Sequence, residues 1–335
     1  MARTVHPVQP PREHVAPQSP PTPYAARQHF VLRDSTVVCT LAGGGSEMLI
    51  VPSSYEDRND IGEDADWRQA HNAADAHKCW KTTFIYQHIE DHPHLMNANS
   101  TPIHYRFIRP DPWTWLPVIA NPGGPPLRTF LDVNRSEMYD TRTTLNQSTA
   151  SGRVKARYKS LVYQWALQLA TPIISIVFGD LTVDSCWLTS PGLSLSILGF
   201  LNSGFRTRDG PVHHGDILSG YPFNPIDHLP RTERIPTLKT DLFMWGCVVY
   251  ELMTGFWPGE GQGIEDEEIA MLVPRHEWPT LESELLGNVV RTCWTGEMRS
   301  AAELVTTVRR VITELGAVIG DNGEVVHLDI EGLTI

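Results

Sequence analysis

The chain has 335 residues, 27 Lys and Arg against 39 Asp and Glu, and a formal net charge of −12. That length supports one large domain or two ordinary ones with ample core. The acidic balance leaves no basic surplus to displace phosphate counterions, which argues against a nucleic-acid partner. A hydrophobic content of 41% excludes a wholly disordered chain. No apolar run approaches the roughly 20 residues needed to span a bilayer, so no membrane role is expected. The five cysteines (Cys39, Cys79, Cys186, Cys247, Cys293) are scattered, odd in number and without CxxC spacing. They read as reduced thiols of an intracellular protein, cytoplasmic or nuclear.

Residues 1–25 carry seven prolines and read as a disordered, Pro-rich tail. Val37-Val38-Cys39 and Met48-Leu49-Ile50-Val51 are strand-like and flank a turn at Gly43-Gly44-Gly45. Residues 55–66 are acidic and read as a solvated loop. A helix is predicted from about Asp66 to Ile89, stopped by His92-Pro93. Short strands are predicted at Ile103–Ile108 and Trp115–Ala120. The breaker cluster from Asn121 to Pro126 is then the best boundary between two halves.

The second half reads as mostly helical. Tyr158, Leu161, Val162, Trp165, Ala166 and Leu169 repeat at helical spacing. Strand candidates follow near Cys186–Leu188 and Leu193–Ile197, then a turn-rich stretch over 202–236. Residues 240–254 are apolar almost all round, which predicts a helix buried on every side and ended by Gly255. Ser300 with Glu303 forms a capping box for a last helix, whose apolar stripe runs from Leu304 to Leu315. Residues 317–335 read as a C-terminal tail.

Lys239-Thr-Asp-Leu-Phe-Met-Trp-Gly-Cys-Val-Val-Tyr-Glu-Leu-Met-Thr-Gly-Phe-Trp-Pro258 resembles the central helix of the eukaryotic protein kinases, and Cys293-Trp294-Thr-Gly-Glu-Met-Arg299-Ser300 resembles a segment near their C-terminus. Phe84-Ile-Tyr-Gln-His-Ile-Glu-Asp-His-Pro93 resembles the end of the helix that carries the family's ion-pair Glu. The resemblance covers roughly residues 26–316 and looks closest to divergent kinase-like proteins of filamentous fungi. It implies an α+β, bilobal protein kinase-like fold. The small β-rich N-lobe with one helix would span about 26–120, and the larger, mainly helical C-lobe about 121–316. It also implies that Asp241 accepts hydrogen bonds from the catalytic-loop backbone, and that Arg299 pairs with Asp227, which stands where the family has an acid after proline.

A kinase positions ATP and a hydroxyl and neutralises charge with a lysine and Mg²⁺, so each charged part can be checked separately. The family's strand lysine maps to Val51, and no lysine precedes Lys78 among the five in the chain. Lys78 or Lys81 could reach in from the helix in its place, but both read as solvent-facing helix residues, and the ion-pair Glu maps to Thr82 or Thr83. The glycine loop reduces to Gly43 and Gly45, followed by Glu47 where backbone amides should meet phosphate. Phe178-Gly179-Asp180-Leu-Thr-Val-Asp-Ser185 resembles the catalytic loop. Its base Asp is kept as Asp180, Ser185 replaces the Mg²⁺-binding Asn, and Thr182 replaces the lysine on the transferred phosphate. Asp184 is a carboxylate one place out of register. Gly199-Phe200-Leu201 resembles D-F-G with its metal-binding Asp lost.

Losing one preorganised electrostatic group commonly costs about 10²–10³ in rate. Several are absent together here, so the expectation is a pseudokinase that binds or regulates a protein partner, with no cofactor expected. The alternative is a divergent, weakly active Ser/Thr kinase that uses ATP and Mg²⁺ with Asp180 as base. His88, His92 and His94 are close in sequence, but they lack a shared helical face and a completing ligand, and read as surface or satisfied histidines.

Overall fold

The computed structural model describes residues 29–31, 37–42, 47–52, 81–86, 107–110 and 117–334, with interruptions at 144–149, 172, 174–176, 180, 191, 198–199, 201–202, 207–211, 214–221, 226–228, 231–233, 261–263 and 322. The Pro-rich leader, the acidic loop and the three clustered histidines lie outside the described residues, as do residues 66–80 and 87–89 of the predicted 66–89 helix, Gly43, Gly45, Asp180, Gly199 and Asp227. The chain divides into two compact units. One is drawn from Met1–Gln87 and Arg106–Asn121, the other from His88–Tyr105 and Pro122–Ile335. The whole is a mixed, α+β structure of small antiparallel sheets and helices.

Unit 1 is built on five strands: β1 (His29–Val31), β2 (Val37–Ala42), β3 (Glu47–Pro52), β4 (Phe107–Pro110) and β5 (Pro117–Ala120), with a helical segment, α1 (81–86), between β3 and β4. The sheet order is β1-β2-β3-β5-β4, all antiparallel. The β-branched runs of β2 and β3 suit a pleated surface. Their register pairs Val37 with Pro52 and Ala42 with Glu47, so residues 43–46 connect adjacent antiparallel strands. Met48, Val118 and Ile119 are buried in the sheet's core.

The first described element of unit 2 is β6 (Gly123–Pro126), the element the sequence least suggests. The Asn121–Pro126 cluster is not only a turn: residues 123–126 pair antiparallel with β9 (Cys186–Thr189), which also pairs with β10 (Leu195–Ile197). Two features allow it. β6 is an edge strand, so Pro125 and Pro126 remove no required donor. A Cβ on Gly124 would sit 2.6 Å from the Leu188 carbonyl oxygen, so glycine lets the two backbones close up, and Trp187 Nε1 donates to Gly124 O at 2.8 Å. The strand predicted at Leu193–Ile197 starts only at Leu195, because Leu193 and Ser194 form the turn back to Thr189.

α2 (Leu127–Met138) follows directly. It buries Leu127, Phe130, Leu131, Asn134 and Met138, one helical stripe. The hairpin of β7 (Tyr139–Thr143) and β8 (Ala150–Val154) leads to α3 (Lys159–Ala170), which is buried from Leu161 to Ala170. The indoles of Trp165 and Trp245 donate to Leu193 O and Ala166 O at 2.7 and 3.0 Å, satisfying both buried N–H groups. Beyond the short pair β11 (Phe205–Arg206) and β12 (Val212–His213) comes α4 (Leu238–Thr254). As its composition predicts, α4 is enclosed nearly all round. Thr237 and Thr240 cap its start reciprocally, and Gly255 ends it at φ +79°. α5 (Asp266–Leu272), α6 (Gly287–Trp294) and α7 (Ala301–Glu314) complete the helices. At α7 Ser300 Oγ accepts Glu303 N–H as predicted, but the Glu303 carboxylate reaches one residue further back, to Arg299 N–H at 3.0 Å.

Among the described residues no helix is long and apolar enough to cross a membrane. Residues 316–334, read from the sequence as a tail, fold back after α7 and lie on α3 and α2.

α4 and α6 meet at Gly246. A Cβ there would sit 2.9 Å from Trp294 Nε1 and 3.1 Å from its Cδ1. Trp294 is wedged among Phe223, Phe243, Tyr250 and Trp278 at ring separations of 5.3–6.3 Å, so the indole has nowhere to swing. Gly246→Val is therefore expected to lower stability by roughly 1–3 kcal/mol despite valine's better helix propensity, read as a lower denaturant midpoint at unchanged slope.

Candidate functional site

A buried polar contact of unit 2 lies where α4 begins. Asp241 lies in the first turn of α4 and is fully buried. Its Oδ2 accepts Phe178 N–H at 2.6 Å and its Oδ1 accepts Gly179 N–H at 3.0 Å. Two successive amides thus point at one carboxylate. This requires a sharp bend, which Gly179 supplies at φ +77°. The positive end of the α4 dipole favours the same buried negative charge.

The loop continues as a compact 3-10 turn, Val183–Ser185. Leu181, Thr182 and Val183 are buried. Ser185 Oγ donates to Thr182 O at 2.8 Å and accepts Thr182 N–H at 3.2 Å, while Cys186 Sγ donates to Thr182 O at 3.3 Å. Burial pushes the Cys186 thiol far up, so this cysteine is a packing group and not a nucleophile. Phe178 stacks on Phe200, with centroids 5.5 Å apart, and Ser203 Oγ donates to Phe178 O at 3.1 Å. Gly204 N–H donates to Val177 O at 2.8 Å, tying the two segments together.

One charged residue that sequence reasoning missed organises the other side of this loop. Arg128, in the first turn of α2, donates through Nε to Asp184 Oδ1 at 3.1 Å and through Nη1 to Glu251 Oε1 at 2.5 Å. Glu251 is 1% exposed, and its second oxygen accepts no hydrogen bond among the described residues. Burial raises the Glu251 carboxyl to about 7, against the lowering effect of Arg128. Arg128 is separated from its acids by 56 and 123 residues, so no local pattern could have revealed the cluster.

The donor set around the loop can be tested for a divalent cation. Such an ion takes oxygen ligands, mostly carboxylates and carbonyls. Ser185 spends its hydroxyl proton on Thr182 O, and Asp184 is held by Arg128. Among the described residues no three His, Cys, Asp or Glu side chains converge as a metal site. Among the described residues, no donor set fits Mg²⁺.

In unit 1, the expectation for Lys81 is overturned. It is 1% exposed within α1, where the neighbours Thr82 and Thr83 are also buried. The helix is enclosed on every described face, so helical position alone did not imply a solvent-facing lysine. Glu47, placed by the sequence beside the glycine run, is gripped by Arg109 of β4 through two parallel bonds of 2.8 and 2.7 Å. That fork holds its carboxyl below the usual carboxylate range. The Arg299–Asp227 pairing falls outside the described residues, since it needs Asp227.

No family model and no curated protein matches the chain.

Asp241→Asn keeps the shape but presents an NH₂ group to one of two amide donors. It is expected to cost roughly 2–3 kcal/mol and to speed hydrogen exchange at Phe178 and Gly179 above that at α6. Glu251 gives a prediction in pH. Its folded carboxyl titrates near 7 and an unfolded one near 4.5. Between those values the folded state holds more protons, so this group makes stability fall as pH rises. Glu251→Gln should remove that contribution, flattening the stability–pH curve from about pH 4.5 to 7 by at most about 1.4 kcal/mol per unit. An unchanged slope would show that Glu251 titrates like an exposed acid.

Proposed function

We propose that the chain is a protein kinase-like, bilobal module that has lost phosphoryl transfer and serves as a protein-binding or regulatory element. The single observation that carries the reading is the contact between the Asp241 carboxylate and the amides of Phe178 and Gly179. It is the contact that the kinase resemblance implies for the Asp of the central helix, between segments found from independent motifs about 60 residues apart. The strand order β1-β2-β3-β5-β4, with α1 between β3 and β4, and the helical composition of unit 2 support the same architecture.

The loss of activity follows from chemistry. Phosphoryl transfer rests on positioning and charge neutralisation. Thr182 and Ser185 stand where the family uses a lysine and an asparagine, and Ser185 is engaged in closing its own turn. Val51 stands at the strand-lysine position, and the glycine loop is reduced to Gly43 and Gly45, followed by Glu47. What remains is the frame: the braced loop, the enclosed α4 and the caps.

The test is a thermal-shift titration of the full chain with ATP, in the presence and absence of Mg²⁺. The expected result is no metal-dependent change in Tm. A metal-dependent rise of several degrees would overturn the loss of nucleotide handling. In that event a phosphotransfer assay on Asp180→Asn would decide whether the module is a weakly active Ser/Thr kinase.

A further inference from the structure

Residues 316–334 make an unusual set of contacts. They leave α7 at Gly316, where φ is +93°, and are pinned by an Ile319–Val325 bridge. From there the segment crosses α3 and ends on α2. It is held mainly through its own main chain. Gln164 Oε1 accepts Val325 N–H at 2.6 Å, and Arg157 donates to Glu331 O at 2.7 Å. Asn134 takes both polar groups of one residue: Oδ1 accepts Thr334 N–H at 2.8 Å and Nδ2 donates to Thr334 O at 3.0 Å.

Apolar anchoring is slight by comparison. Ala317 and Val325 are the buried apolar side chains of the segment, and residues 326–334 are half-buried or exposed. The Val325–Gln164 bond is buried, but beyond it the segment is held by polar bonds near solvent with little apolar burial, and such an element opens well below the cost of global unfolding. The helix it ends on is the one that carries Arg128. α2 therefore binds Asp184 and Glu251 at its first turn, and Thr334 two turns later. One rigid element of 12 residues touches both places.

We propose that residues 316–334 form a detachable strap, and that its seating on α2 and α3 sets, through α2 and Arg128, how firmly the Val183–Ser185 turn is held. Seated, the strap fixes α2, and α2 fixes Asp184. Released, it frees the last turns of α2 and slackens the Arg128 fork. The device rests on unit 2 alone and holds whether or not the kinase-like reading does.

Hydrogen exchange on the full-length chain tests it, with two strap-side variants that leave α2 unaltered. Val325→Asp places a charge under the strap against α3. Thr334→Pro removes the N–H that Asn134 accepts, in an exposed residue that cannot unfold the core. In the wild type, Val325 and Thr334 amides are expected to exchange at least about tenfold faster than α4 amides. In each variant, α2 amides and the Ser185 amide should also speed up severalfold, while α6 stays unchanged. The proposal is overturned if the strap amides open only with global unfolding in the wild type. It is equally overturned if either variant frees the strap while α2 and Ser185 keep wild-type protection. Should Val325→Asp unfold the chain, Thr334→Pro decides alone.

Discussion

A buried carboxylate needs its charge answered, and in unit 2 the answer comes from backbone. Asp241 is fully enclosed at the start of α4 and takes two consecutive amides from the bend at Phe178-Gly179. An ionised acid in that setting is tolerable only because charge-assisted bonds and the helix terminus replace lost water. The dependence runs both ways. α4 gains a satisfied first turn, and the loop gains a fixed point from which Phe178 meets Phe200 and the Val183–Ser185 turn is placed.

The opposite side of the loop is fixed by a different logic. Arg128 joins Asp184, which is partly exposed, to Glu251, which is not. Burying an acid with one oxygen that has no partner among the described residues is costly, and the raised Glu251 carboxyl is the expression of that cost. The cluster therefore ties α2, α4 and the loop together without being a strong source of stability. Tyr139, just after α2, donates to Leu252 O one residue beyond Glu251, so the same helices are stitched twice.

Much of unit 2 was legible because its signals are local. The enclosed α4 announced itself by an apolar run capped by threonine and glycine, and α7 by Ser300 and its stripe. The illegible parts have identifiable causes. β6 hides in Gly-Gly-Pro-Pro, which reads as a breaker unless one knows that it lies at a sheet edge against Leu188. α2 follows those prolines and has a charged outer face, with a buried Asn134 inside its stripe. Lys81 was misjudged because exposure belongs to the surroundings of a helix and not to the helix.

The sequence by itself determined the periodic elements, their caps and the absence of a lysine before Lys78. These are properties of composition and of neighbours three or four residues apart. Only the tertiary structure decided that the amides closing on Asp241 are those of Phe178 and Gly179, that Arg128 spans Asp184 and Glu251, and that residues 316–334 lie on α2. Those contacts join residues 56 to 200 positions apart. Their existence depends on which buried polar groups find partners once the chain has closed, and no periodicity along the chain records that.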